Sequence, residues 1–124
     1  AGGFKRKPAK VFSGGPMMGQ AMFTTDVPVS KTSSGLVAFL EDEVAEFETT
    51  ACIRCGRCVE VCPGRVVPKM LYEFSAHNDA ENFVNIDGME CCECGCCSYV
   101  CPAGIRLTQS FKQMRRKVLD SRKK

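Results

Sequence analysis

Twelve residues, Cys91 to Pro102, read CCECGCCSYVCP and hold six cysteines. A second run, CIRCGRCVEVCP from Cys52 to Pro63, holds four. The two superpose without a gap at an offset of 39 residues. Cys52, Cys55, Cys58 and Cys62 fall on Cys91, Cys94, Cys97 and Cys101, Gly56 falls on Gly95, and Pro63 falls on Pro102. Each copy is C-x2-C-x2-C-x3-C-P. The short gaps let a tight loop wrap three corners of an iron–sulfur cubane. The fourth cysteine follows one helical turn later and points away from its own loop. In two-cluster modules that cysteine ligates the other cluster. The expected ligand sets are therefore Cys52, Cys55, Cys58 and Cys101 for one [4Fe–4S] cluster, and Cys91, Cys94, Cys97 and Cys62 for the other.

Zinc also takes C-x2-C pairs, and a structural zinc module is the competing class. Zinc sites usually draw on two separated pairs, however. Three evenly spaced cysteines ahead of C-P, given twice, fit iron–sulfur chemistry better. Cys92 and Cys96 align with Ile53 and Arg57, which are not ligand types, and are expected to be small packing residues. Spare ligands or oxidation-sensitive thiols are the alternative. Arg54 and Arg57 sit in the first loop and Glu93 in the second, so the first cluster is expected to have the higher potential.

The rest of the sequence must position these loops. The glycines at 56 and 95 are expected to let backbone N–H groups approach cluster sulfurs, and Pro63 and Pro102 to end the local turn. The 28 residues between Cys62 and Cys91 read as helices rather than a strand pair. Val67, Met70, Leu71 and Phe74 have helical spacing behind Pro68, which predicts a helix over about 67–76. Asn78 or Asp79 is placed to cap a second helix reaching about Val84. Leu107, Phe111, Met114 and Val118 predict a basic C-terminal helix over about 108–121. Upstream, Val11-Phe12 reads as a strand entering a turn at GGPMMG, and residues 26–41 as two short strands joined at Thr32–Gly35. EDEVAEFE (41–48) reads as a short exposed helix. The predicted class is α+β: a short N-terminal β segment, then a mostly helical two-[4Fe–4S] ferredoxin-like module.

Composition narrows the function. With 44% apolar and 25% charged residues the chain is globular, yet it has no Trp and only 8% aromatic residues. A large aromatic core is not expected, and bound metal would compensate. No apolar segment suggests a signal peptide or a membrane span, so the cysteines are expected in a reducing, cytosolic setting where they mean metal. The chain does not begin with Met, which suggests processing or a piece of something longer. The formal charge of +3 falls to about −1 if two oxidised clusters carry roughly −2 each, so no nucleic-acid partner is expected. The one histidine, His77, lies in polar SAHND and reads as a surface position, so no Ser/His/Asp or Cys–His catalysis is expected. The tail KQMRRKVLDSRKK reads as a solvated basic helix, with docking to an acidic partner or an anionic membrane surface as the alternative.

SGGPMMG (13–19), PVSKTSSG (28–35), ACIRCGRCVEVCP (51–63) and CCECGCCSYVCP (91–102), in that order and spacing, resemble the C-terminal part of the C subunit of the Rnf electron-transport complex. The resemblance covers nearly the whole chain; Arg65, Cys92 and Cys96 depart from the usual pattern. It implies electron transfer through two [4Fe–4S] clusters in a peripheral component on the cytoplasmic side of the cell membrane. The partners it implies are other subunits of the complex and ferredoxin or flavin carriers. That complex exchanges electrons between NADH and ferredoxin and couples this to Na⁺ or H⁺ transport. FMN and NADH would belong to an upstream domain. The expected domains are a partial β-grasp-like segment over 1–44, the cluster module over 45–107 and a basic helix over 108–124. A related cobalamin reductase shares this layout and is the alternative context.

Overall fold

The computed structural model describes residues 2–42 and 47–123. Its chain divides into two compact units, Ala1–Phe47 and Glu48–Lys124. The helix expected over 41–48 falls largely on 43–46, outside the described residues.

The first unit is a three-stranded antiparallel sheet in the order β2-β1-β3, with β1 at Lys10–Ser13, β2 at Gln20–Met22 and β3 at Leu36–Phe39. Val11 opposes Met22 on one side and Ala38 on the other. GGPMMG makes the β1–β2 turn, as expected. Gly14 enters it at φ +94°, and a Cβ on Gly19 would lie 2.4 Å from the Gly15 carbonyl oxygen, so the close approach requires glycine. Val11 is the one buried hydrophobic residue among those described in this unit. The outer contacts are an edge-to-face pair of Phe12 and Phe39 at 5.5 Å and a Lys10–Asp42 ion pair at 2.8 Å.

One strand expectation fails. Residues 26–41 form a single strand, β3, and Val27 and Val29 are exposed. Pro28 has no N–H for a ladder. Ser30 then folds the chain into a local turn, with the Ser33 N–H donating to its carbonyl at 3.0 Å. The other edge of β1 is taken by β2, a strand too short to leave a pattern in the sequence.

The second unit is helical: α1 (Arg57–Glu60), α2 (Pro68–Ala76), α3 (Ala80–Asn85), a 3-10 turn (Gly88–Glu90), α4 (Cys96–Tyr99) and α5 (Leu107–Arg122). The α2 stripe sinks only in part. Leu71 is fully buried and Phe74 packs on the core, but Val67 and Met70 stay exposed while Val66 and Pro68 are buried. Asn78 and Asp79 divide the work of stopping one helix and starting the next. Asn78 takes a left-handed φ of 59°, and the N–H groups of Asn78 and Asp79 donate to Ser75 and Phe74 carbonyls at 3.1 and 2.8 Å. That is a Schellman closure. The Asp79 carboxylate then accepts from the Asn82 N–H at 3.0 Å and caps α3.

Helix α5 supplies the core's spine. Leu107, Phe111, Met114 and Val118 are all buried, as their spacing predicts, and they pack with Leu71, Phe83, Ala103 and Ile105. Phe83 and Phe111 meet at 6.4 Å between ring centroids. Gly88 fits against Phe83 so closely that a Cβ would lie 2.4 Å from its ring. Among the described residues no helix is long and apolar enough to cross a membrane.

Phe111→Ala is expected to cost about 3–5 kcal/mol, as truncation of a fully buried aromatic does. Gly88→Ala should also destabilise, by forcing Phe83 aside. Urea unfolding of the second unit, followed by helical circular dichroism, checks both; an unchanged midpoint for either would contradict this account of the core.

Candidate metal centres

The backbone repeats along with the cysteines. Arg54 and Glu93 both have left-handed φ, at 57° and 56°. So do Gly56 and Gly95, at 79° and 86°, and Arg65 and Gly104, at 52° and 63°. Each pair is separated by the offset of the repeat. Gly56 and Gly95 are the N-caps of α1 and α4. A Cβ at Gly56 would meet no atom of the described residues within 4 Å, so among them it is the positive φ, rather than close approach, that calls for glycine there. The single helical turn that follows carries the chain from the third cysteine to the fourth.

Two hollows result. The larger, about 530 Å³, is walled by the loop of Cys52, Cys55 and Cys58, by Cys101, and by one face of α2. The smaller, about 10 Å³, is walled by Cys62, Cys91, Cys92, Cys94 and Cys97. Each draws its local cysteines from one copy of the repeat and one cysteine from the other. Electrostatics sort the first group the same way. Burial pushes the Cys58 thiol up, and Cys101, Cys52 and Cys55 add to that push. Burial also raises the thiols of Cys91 and Cys97. A metal that binds these sulfurs must displace their protons.

The donor sets suit a cluster with four thiolates, and all ten cysteines are free of disulfides. The first hollow also has the room. The second has the donors but is nearly closed, so its walls must part around a bound group. Among the described residues no three His, Cys, Asp or Glu side chains gather tightly enough for a single metal ion. Exposure differs between the centres: Cys52 and Cys55 are exposed, whereas Cys97 is buried. Cys96 is half-buried at the start of α4, which suits packing, but Cys92 is exposed on the rim of the second hollow and does not pack. His77 is the exposed C-cap of α2, a surface position.

Three residues around the second hollow stand out only in the fold. Thr108, on the first turn of α5, is buried, with its hydroxyl 3.5 Å from the Cys97 sulfur and 3.0 Å from the Ser98 hydroxyl. Ser98 accepts from the Thr108 N–H at 2.9 Å. It thereby caps α5, whose own N-cap, Arg106, makes no side-chain bond. Arg115 donates through Nη1 to the Cys91 carbonyl at 2.8 Å and to Glu93 at 2.5 Å. Glu93 is therefore not the bare negative charge that its place in the sequence suggests. The available signal for Arg115 was its i, i+4 spacing from Phe111, on the helix's inner side. Ser98 and Thr108 left no signal, because a cap supplied by another element has no fixed spacing.

Residues 51–105 match the family model described as a 4Fe-4S dicluster domain. The chain is 42% identical over 123 residues to the C subunit of the Na(+)-translocating ferredoxin:NAD(+) oxidoreductase complex of Acetobacterium woodii, covering 99% of this chain and 28% of that protein. It is 46% identical over 110 residues to the C subunit of the ion-translocating oxidoreductase complex of Rhodobacter capsulatus, covering 89% and 21%. The C subunit of the proton-translocating ferredoxin:NAD(+) oxidoreductase complex of Clostridium ljungdahlii is 47% identical over 70 residues, covering 56% and 15%. The chain thus spans less than a third of the length of these curated relatives.

Ser98→Ala removes the cap of α5 and is expected to cost about 1 kcal/mol of stability. Ser98→Asn, which can still accept the Thr108 N–H, should recover part of it in the same urea titration. Equal losses for the two variants would argue against capping.

Proposed function

We propose that the chain relays electrons through two [4Fe–4S] clusters in an Rnf-type complex, because residues 51–105 match a 4Fe-4S dicluster model and the chain is similar over nearly its whole length to part of the C subunit of ion-translocating oxidoreductase complexes. Cys52, Cys55, Cys58 and Cys101 hold one cluster; Cys91, Cys94, Cys97 and Cys62 hold the other. The observation that carries this assignment is the crossed lining of the two hollows. When bound, each cluster takes up and passes on one electron at a time. The chain's own residues make no bonds with a substrate. They fix the donor sulfurs, exclude water from Cys97 and leave Cys52 and Cys55 open to solvent on the side where a carrier can approach.

In this reading the first unit is part of a β-grasp-like domain. FMN and NADH are held by other parts of the longer protein or its complex. The partners are the complex's other subunits and ferredoxin or flavin carriers. The place is the cytoplasmic side of the membrane, peripherally attached. Support for that place comes from the likeness to parts of ion-translocating complexes.

The test pairs substitutions across the repeats. Cys62→Ser and Cys94→Ser should abolish the same electron paramagnetic resonance signal, and Cys101→Ser and Cys55→Ser the other. If Cys62→Ser and Cys55→Ser removed the same signal, the crossed assignment would be wrong. The loaded chain should contain about eight irons by the cubane count. Cys92→Ala with Cys96→Ala should keep them; a loss of about half would make one of these residues a ligand.

A further inference from the structure

Arg115 lies in a run of lysines and arginines that reads as solvent-facing, yet its guanidinium is turned inward. Both acceptors of its Nη1, the Cys91 carbonyl and the Glu93 carboxylate, belong to the loop of the second centre. The side chain is 23% exposed, and its Nε–H is buried without a partner among the described residues. A buried donor of a charged group left unpaired is costly, and such a group signals a missing acceptor. The first centre cannot repeat the arrangement, because the residue equivalent to Glu93 there is Arg54, which would repel a second guanidinium.

We propose that Arg115 is a positioning residue of the second cluster: it pins the loop through the Cys91 carbonyl, cancels the charge of Glu93, and gives its remaining Nε–H to a sulfur of that cluster. This rests on the reading that Cys91, Cys94, Cys97 and Cys62 hold a cluster. A cation and a hydrogen-bond donor beside a cluster favour its reduced, more negative form. Arg115 thus raises the potential of one centre and leaves the other alone. It also narrows the difference that Arg54 and Arg57 would otherwise set up between the two.

The experiment is a redox titration of the iron-loaded full chain followed by electron paramagnetic resonance, with the second cluster identified as the signal lost in Cys94→Ser. Arg115→Gln should lower the reduced-to-oxidised ratio of that cluster about tenfold at fixed potential, a shift of about 59 mV for a one-electron couple. The other cluster should not move. An unmoved second cluster, or an equal shift in both, overturns the proposal. Should Arg115→Gln fail to load iron, Glu93→Gln decides the matter. It leaves the guanidinium uncompensated and must raise the potential of the same cluster alone; no change overturns the proposal. A wild-type chain that shows no pair of cubane signals defeats the two-cluster reading itself, before any variant is compared.

Discussion

One turn of helix separates the third and fourth cysteines of each repeat, and the larger unit depends on it. Helices α1 and α4 are four residues long, each begun by a glycine in a left-handed conformation. That turn carries Cys62 to the wall of the second hollow and Cys101 to the wall of the first. The first hollow has only three cysteines from its own repeat, so α1 and α4 must dock before Cys101 makes a fourth; the second has Cys91, Cys92, Cys94 and Cys97 from its own repeat and gains Cys62 by the same docking. The constraint is local in sequence and global in effect.

Docking is secured elsewhere. With no Trp and few aromatics, the unit concentrates its apolar burial in α5 and the residues facing it, and Phe83 and Phe111 are its largest fully buried side chains. The same helix reaches back to the second hollow at two heights: Thr108 near its start, beside Cys97, and Arg115 about two turns on, beside Cys91. The core and the second site thus share one element, and changes in the packing of α5 are felt by the sulfurs. The first hollow is walled by α2, the exposed loop of Cys52 and Cys55 and the segment from Cys101 to Ile105, and α5 reaches it only with its first residue, Leu107.

What the sequence disclosed was whatever repeats at fixed spacing. The cysteine period grouped the residues that line each hollow, the 3.6-residue period placed α2 and α5 within a residue or two, and the capping signal at Asn78 or Asp79 placed α3. What it hid depends on partners distant in the chain. Val27 and Val29 look like strand residues, but both edges of β1 are taken, by β2 and β3. Val67 has the right spacing for a core position, yet Val66 is the residue that is buried, because the entry to α2 and its Pro68 turn the first residues of the stripe. Arg115 reads as one more surface charge until Glu93 is brought within reach of it.

Of the three left-handed positions of each repeat, one is glycine in both copies, at 56 and 95, and two carry different residues: arginine matches glutamate at 54 and 93, and arginine matches glycine at 65 and 104. The backbone path thus repeats where the residues on it differ, even where arginine bears the strain of a positive φ that glycine does not. The outcome is two sites built on one repeat in unlike surroundings, a hollow of about 530 Å³ at the first and one of about 10 Å³ at the second. In the proposed relay, an electron on the first would sit beside Arg54, Arg57 and the solvent at Cys52 and Cys55, and on the second beside Thr108 and the half-buried Arg115. On that proposal, solvent near the first would reorient with each transfer, whereas the second would be screened chiefly by protein dipoles, so two copies of one motif would present an electron with different solvents.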